Sequence, residues 1–443
     1  MSGGTATAAD LARTMALEAW RTGSRLCECS SCGQFQRLPS LVPGQSARCI
    51  RCDTVLRRAR IDPLGRALAL NLAALSLFAV ACLMTLMTVS TAGMVRHASL
   101  FSGPIDMGRS GLWELTIVVM FTTVIAPVAK LSCMTYVLAG LRLPRPPRHV
   151  RRVYAWVEHL RPWSMVEVFL LGVLVAYTKL IDLVHIELGI ALYAMGLLML
   201  TMIAAEAVLD RQAVWEEMER RGVPHGDIDH AATALASSAE GALSCHTCGL
   251  VSLPHDHDDH CPRCGSHLHV RKPNAMGRAV ALLIAAAILY VPANVYPVLQ
   301  FIQLGSGQPS TILGGVVELL DGGMWPLALL VFFASVAVPM LKIMGLALLL
   351  LSVRFAWTSR LRDRTRLYFA VNAIGRWSMI DIFMETILVA LVRFGSVVSI
   401  EPGMGAIAFC GVVILTMFAA EGFDPRLMWD AAGENDHMRV EPR

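Results

Sequence analysis

Leu64-Gly65-Arg66-Ala67-Leu68-Ala69-Leu70-Asn71-Leu72-Ala73-Ala74-Leu75 begins an apolar run that continues to about residue 90. At ~1.5 Å per residue, such a run crosses the ~30 Å hydrocarbon core of a bilayer as a helix. Its opening motif returns as Met276-Gly277-Arg278-Ala279, ahead of a second apolar run. The chain therefore reads as a membrane protein built twice. Working outward, spans are expected over 66–90, 112–139, 164–184 and 188–209, then over 277–299, 324–352, 378–398 and 403–421. Composition agrees: a chain of 443 residues, 55% hydrophobic and 16% charged, with mean hydropathy +0.55, is too apolar for a soluble domain. A net charge of only +4 gives no reason to expect a nucleic-acid partner.

Further motifs recur at an offset of about 212–216 residues. Pro127-x-x-Lys130 matches Pro339-x-x-Lys342, and Trp163-Ser164-Met165-Val166-Glu167 matches Trp377-Ser378-Met379-Ile380-Asp381. Glu187-x-Gly189 matches Glu401-x-Gly403, and Ala204-Ala205-Glu206 matches Ala419-Ala420-Glu421. An even number of spans per half makes the repeats parallel, related by an axis near the membrane normal. Arginines cluster at 142–161 and 354–376, whereas 300–323 has no Lys or Arg. The positive-inside rule then places both termini in the cytoplasm. Residues 1–26 lack the apolar core of a signal peptide, and Ala8–Trp20 reads at most as a short amphipathic helix.

Eight of the twelve cysteines form CxxC pairs: Cys29 and Cys32 with Cys49 and Cys52, then Cys245 and Cys248 with Cys261 and Cys264. Two such turns supply four thiolates in a tetrahedron, which suits Zn²⁺ and leaves no open position for catalysis. Two zinc ions per chain are expected, one in each small β ribbon on the cytoplasmic side. Cys248-Gly249 and Cys264-Gly265 also resemble iron knuckles, so iron is the alternative metal. The run from His255 to His260 could bind another ion, but it reads first as a solvated loop.

Ionisable residues at membrane depth are expensive unless paired or wet, which makes them candidates for function. The repeat selects Lys130 and Lys342, Glu167 and Asp381, Lys179 and Arg393, and Glu206 and Glu421. Asp182 lies one turn from Lys179, and Glu385 one turn from Asp381. The bland alternative is a set of interhelical ion pairs or snorkelling ends. Tyr290-x-Pro292-Ala293-Asn294-x-x-Pro297 suggests a helix broken by proline, which favours a cavity in the second half.

The resulting organisation is an all-α polytopic membrane protein of two tandem repeats. A tail (1–26), ribbon (27–60), four-helix membrane domain (61–210) and linker (211–243) precede a second ribbon (244–272), a second membrane domain (273–423) and a tail (424–443). Tyr290–Pro297, Thr311-Ile312-Leu313-x-Gly315, Trp325-Pro326-Leu327-Ala328, Pro339-x-x-Lys342, Trp377-Ser378-Met379-x-Asp381 and Asp424-Pro425-Arg426 together resemble the paraquat-inducible protein A family. The first half lacks the Tyr-x-Pro-Ala-Asn and Asp-Pro-Arg motifs. The resemblance implies an inner-membrane protein that passes phospholipid or a related lipid to or from a periplasmic tunnel partner with mammalian-cell-entry (MCE) domains. No P-loop is present, so a transporter rather than an enzyme is expected, driven by a proton gradient or passive. Two other readings remain open: a non-transporting anchor for the tunnel protein, and a membrane redox protein using the CxxC modules.

Overall fold

The computed structural model describes residues 25–91, 94–181, 185–223, 243–252, 260–303, 306–392 and 398–435. The possible N-terminal amphipathic helix, Asp182, Arg393 and the stretch from His255 to Asp259 lie outside them.

Each half repeats one order of elements. In the first, strands β1 (Arg25–Glu28) to β4 (Val55–Arg58) form the ribbon, with β2 at Phe35–Leu38 and β3 at Ser46–Arg48. There follow α1 (Pro63–Leu83), β5 (Met87–Thr91), β6 (Met94–Ala98), α2 (Ser102–Arg109), α3 (Trp113–Met120), α4 (Ala126–Gly140), α5 (Val150–Leu160), α6 (Val166–Leu180), β7 (His185–Leu188), α7 (Ile190–Val208) and α8 (Arg211–Arg220). The second half has the ribbon strands β8 (Leu243–Ser244) and β9 (Val251–Ser252), then α9 (Ala275–Val295), β10 (Leu299–Gln303), β11 (Ser306–Ser310) and α10 (Ile312–Asp321). It ends with α11 (Trp325–Phe332), α12 (Val338–Arg354), α13 (Leu361–Trp377), α14 (Ile380–Leu391), β12 (Val398–Pro402), α15 (Met404–Gly422) and α16 (Arg426–Ala431).

Among the described residues, seven helical segments are long and apolar enough to cross a membrane: Pro63–Leu83, Trp113–Gly140, Val150–Thr178, Ile190–Val208, Ala275–Val295, Trp325–Arg354 and Met404–Gly422. The span expected over 378–398 is different. Its helix, α14, has 12 residues and every one of them is buried. At ~18 Å it falls short of a bilayer core. Its apolar side chains face protein: α14 packs on α6, on α2 and on β12. Phe383 of α14 meets Phe169 of α6 edge to face at 5.6 Å, so the third helices of the two halves join at the centre. One apolar core continues across this junction, from Phe78 and Leu131 through Phe383 to Phe409.

Proline shapes the second span of each half. Pro127 and Pro339 have no N–H and crowd the preceding turn. In both halves the helix widens ahead of the proline into a π-turn, at Phe121–Ile125 and Phe333–Ala337. Local hydroxyls supply donors there: Thr123 donates to Val119 O at 2.7 Å, and Tyr290 donates to Val336 O at 3.4 Å. The expected break at Pro292 does not occur. α9 runs through it and stops at Val295, before Tyr296-Pro297.

The described residues are mostly helical, as expected, and carry strands beyond those of the ribbons. On the side away from the ribbons, each half carries a three-stranded antiparallel sheet, β6-β5-β7 in the first and β11-β10-β12 in the second. The stretch 300–323, which has no Lys or Arg, is mostly a hairpin followed by α10. Each sheet ties the end of the first span to the start of the fourth, with Met87 paired to Leu188 and Leu299 to Pro402. The repeated glycines serve this junction. Gly189 N–H donates to Leu86 O at 2.9 Å, and Gly403 N–H donates to Val298 O at 2.7 Å. A Cβ on Gly189 would collide with the Thr85 carbonyl, and one on Gly403 with that of Pro297.

Candidate functional site

The four CxxC turns share one construction. In each, the first cysteine N–H donates to the carbonyl five residues on, as in Cys29 N–H to Gln34 O at 2.9 Å and Cys261 N–H to Ser266 O at 2.7 Å. The residue after the second cysteine takes positive φ: Gly33, Gly249 and Gly265, with Asp53 in the fourth turn. Glycine adopts that conformation freely, and aspartate tolerates it better than most residues. The turns bring Cys29 Sγ to 3.5 Å from Cys52 Sγ, and Cys32 Sγ to 3.6 Å from Cys49 Sγ. In the second ribbon, Cys245–Cys264 and Cys248–Cys261 are both 3.5 Å apart. Zn–S bonds of ~2.3 Å in a tetrahedron place sulfurs ~3.8 Å apart, so a small contraction-free adjustment seats the ion. Both four-cysteine clusters fit a metal ion, zinc among the candidates.

The ribbons are seated crosswise. The second ribbon's cysteines pack with Leu68, Val137, Tyr154 and Trp215 of the first half. The first ribbon's cysteines pack with Leu283, Leu349, Tyr368 and Trp429 of the second half. An arginine inside the second CxxC of each ribbon fastens the seat. Arg263 pairs with Glu219 at 2.7 Å, and its carbonyl accepts from Arg151 at 3.0 Å. Its counterpart Arg51 pairs with Glu434 at 3.3 Å, and its carbonyl accepts from Arg362 at 2.8 Å. The repeat carries these arginines at matching positions, in Cys49-Ile50-Arg51-Cys52 and Cys261-Pro262-Arg263-Cys264.

Arg426 joins the two ribbons to the end of the last span. It is buried, and it pairs with Glu28 of the first ribbon at 2.8 Å and with Asp424 at 3.0 Å. It also donates to His246 Nε2 of the second ribbon at 2.7 Å. Burial and the nearby guanidinium push the His246 imidazole down to about 4, so it accepts this bond as a neutral ring. Burial works against ionising Asp424, but hydrogen bonds and charge from Arg426 outweigh it and hold the carboxyl below its ordinary value. Arg426→Met would leave Glu28 and Asp424 short of their main cation. Breaking such a buried pair costs about 3–5 kcal/mol, so thermal unfolding should come many degrees earlier, with Arg426→Lys recovering part of the loss. An unchanged melting temperature would show that the cluster contributes nothing net.

The membrane-depth candidates part company. Lys342 is 2% exposed, and its Nζ donates to the Gly375 carbonyl at 3.5 Å. Asp381 and Glu385 are each 4% exposed and sit one turn apart on the protein-enclosed α14. Asn294 Nδ2 donates to Tyr290 O at 2.9 Å near the end of α9. In the first half the matching lysine is satisfied differently: Lys130 pairs with Glu206 at 2.5 Å, and Glu206 also holds Arg161 at 3.2 Å. Glu421 is exposed, and its backbone carbonyl accepts from Lys272. Glu167 is half-buried in the first turn of α6, while Lys179 lies in the last turn of that helix, its side chain outside the described residues. The halves therefore share spacing but not wiring.

A family model described as "Paraquat-inducible protein A" matches residues 64–219 and 276–433, once in each half. The chain is 35% identical over 415 residues to "Intermembrane transport protein PqiA" of Escherichia coli (strain K12), covering 92% of this chain and 96% of that protein. It is 31% identical over 403 residues to "Lipophilic envelope-spanning tunnel protein A" of the same strain, covering 91% of each. A "Probable intermembrane transport protein" of Haemophilus influenzae is 28% identical over 413 residues, 91% of this chain and 96% of that one. No solved structure matches.

Proposed function

The chain belongs to the paraquat-inducible protein A family, and from that premise we propose that it is the inner-membrane component of an intermembrane lipid transport system. Phospholipid or a related lipid passes through the second membrane domain, to or from a periplasmic tunnel protein with MCE domains. The ribbons and both termini face the cytoplasm, and the two sheets face the periplasmic partner. The observation that carries this reading is the enclosure of Lys342, Asp381 and Glu385 within protein at membrane depth. Charges placed there are kept from lipid at a cost that a purely structural bundle has no need to bear. They could bind a polar headgroup or exchange protons as the membrane domain changes shape. The relatives' printed names, which speak of intermembrane transport and an envelope-spanning tunnel, support the same direction.

Zinc in the ribbons is structural in this account. Full thiolate coordination leaves no substrate position, and the ribbons brace the bundle on the cytoplasmic side. Purification of the full chain from its native membrane should recover phospholipid and one MCE-domain protein. Two zinc ions per chain are also expected, with none of the visible absorbance of iron–thiolate centres. Recovery of the partner with no lipid, and no lipid transfer between vesicles, would favour the anchor reading instead.

A further inference from the structure

A cavity of about 50 Å³ opens at the ribbon-side end of the first membrane domain. Its polar rim is Asn71, Lys130, Glu158, Arg161, Glu206 and Arg211, and the remaining walls are mostly apolar. The rim is a chain of ion pairs. Beyond the contacts of Glu206 with Lys130 and Arg161, Glu158 holds Arg211 at 3.1 Å and lies 4.0 Å from Arg161. Three cations face two carboxylates, which leaves one positive charge in excess. The second half does not reproduce this arrangement: Gly375 and Asn372 stand where Arg161 and Glu158 would recur, and Arg426, the counterpart of Arg211, is committed to the ribbons.

One buried group in this cavity is unexplained by the fold. Tyr154 also lines it and is 0% exposed, yet its hydroxyl has no hydrogen-bond partner among the described residues. Leaving a buried hydroxyl without a partner costs about 1–3 kcal/mol. The ring itself is well placed, 4.9 Å from Trp215 edge to face, so packing alone would be served by phenylalanine. Arg161 and Arg211 line the same cavity, each held by a carboxylate of the rim.

The geometry points to a resident site for the phosphate of an anionic membrane lipid, with the apolar side chains of Leu131, Met134 and Met202 lining the cavity beside it. Guanidinium groups suit phosphate because their forked N–H donors match its oxygens. The cavity volume admits a phosphoryl group or a few waters, and the cavity lies among helices of the first membrane domain. This site is separate from the proposed transport path. It holds lipid whether or not lipid moves through the second half.

The test uses the full chain, delipidated in a nonionic detergent, with dioctanoyl phosphatidylglycerol, dioctanoyl phosphatidylcholine and inorganic phosphate as probes. Native mass spectrometry and thermal shift read binding. Phosphatidylglycerol should bind at least about five-fold more tightly than phosphatidylcholine. K130M combined with R161Q should weaken it by ten-fold or more, and Y154F by about three- to ten-fold. Y154F retains the ring on Trp215, so it tests the site even if the double variant fails to fold. Zinc content and elution volume identify folded protein. Equal binding of the two lipids would overturn the proposal, as would unchanged phosphatidylglycerol binding in Y154F together with the double variant. Equal stabilisation by inorganic phosphate would assign the site to free anion rather than lipid.

Discussion

Lys342→Met is expected to reduce complementation of an envelope-barrier defect to the level of the empty vector, with the protein still present in the membrane at normal levels. Methionine nearly matches lysine in length and suits an apolar enclosure. Removing an ammonium whose recorded contact is one long bond to the Gly375 carbonyl should therefore preserve or raise stability. Function and stability then move in opposite directions, which a structural role for Lys342 does not allow. Asp381→Asn should behave alike, since α14 gives that carboxylate no contact with lipid or bulk water. Lys130→Met is the internal control. Its loss leaves Glu206 with Arg161, so activity should fall by only a fewfold. Full complementation by both second-half variants would remove the buried charges from the mechanism.

The second large effect concerns the metal. Cys261→Ser with Cys264→Ser removes half the ligands of the second ribbon, and small zinc modules draw much of their folding free energy from the ion. Amide hydrogen exchange should then rise by tenfold or more in α5 and α8, which belong to the first half and hold that ribbon. Protection in α13 should change less, although that helix lies in the same half of the sequence as the altered cysteines. Cys29→Ser with Cys49→Ser should give the reverse pattern, loosening α13 and α16. Exchange rising chiefly in the half adjacent in sequence would refute the crosswise seating.

The parts of this fold that could be read from sequence are those written in local patterns. The ribbons follow from CxxC spacing, and most of the spans from length and hydropathy, because metal coordination and bilayer thickness each impose a fixed count of residues. The repeat exposed Lys342 and Asp381 as a pair of positions worth watching. What remained hidden depends on partners distant in the chain. Around Ile380 the charges Asp381 and Glu385 argued against a lipid-facing helix, but the length of the apolar stretch still read as a span, because its true end depends on packing against the other half. The outer sheets rest on strands of four or five residues whose cross-pairing reaches a hundred residues away, as between Met87 and Leu188. Their trace was no more than Leu299-Gln300-Phe301, an alternation too brief to stand out beside long apolar helices. The seating of each ribbon on the opposite half left one local trace, the repeated Arg51 and Arg263, which does not say which half they meet.

That exchange of ribbons bears on how such a chain could have arisen and how it can be divided. A single half, made alone, would display an empty docking face and a ribbon lacking the side chains that pack around its cysteines. Two identical halves could satisfy each other only as a closed two-fold dimer with swapped ribbons. Duplication and fusion of such a dimer's gene would preserve every contact while freeing the copies to diverge, one retaining an ion-paired lysine and the other an enclosed one. The same logic governs fragments: the halves expressed separately should be insoluble, and should recover a folded state only when they meet in the same membrane.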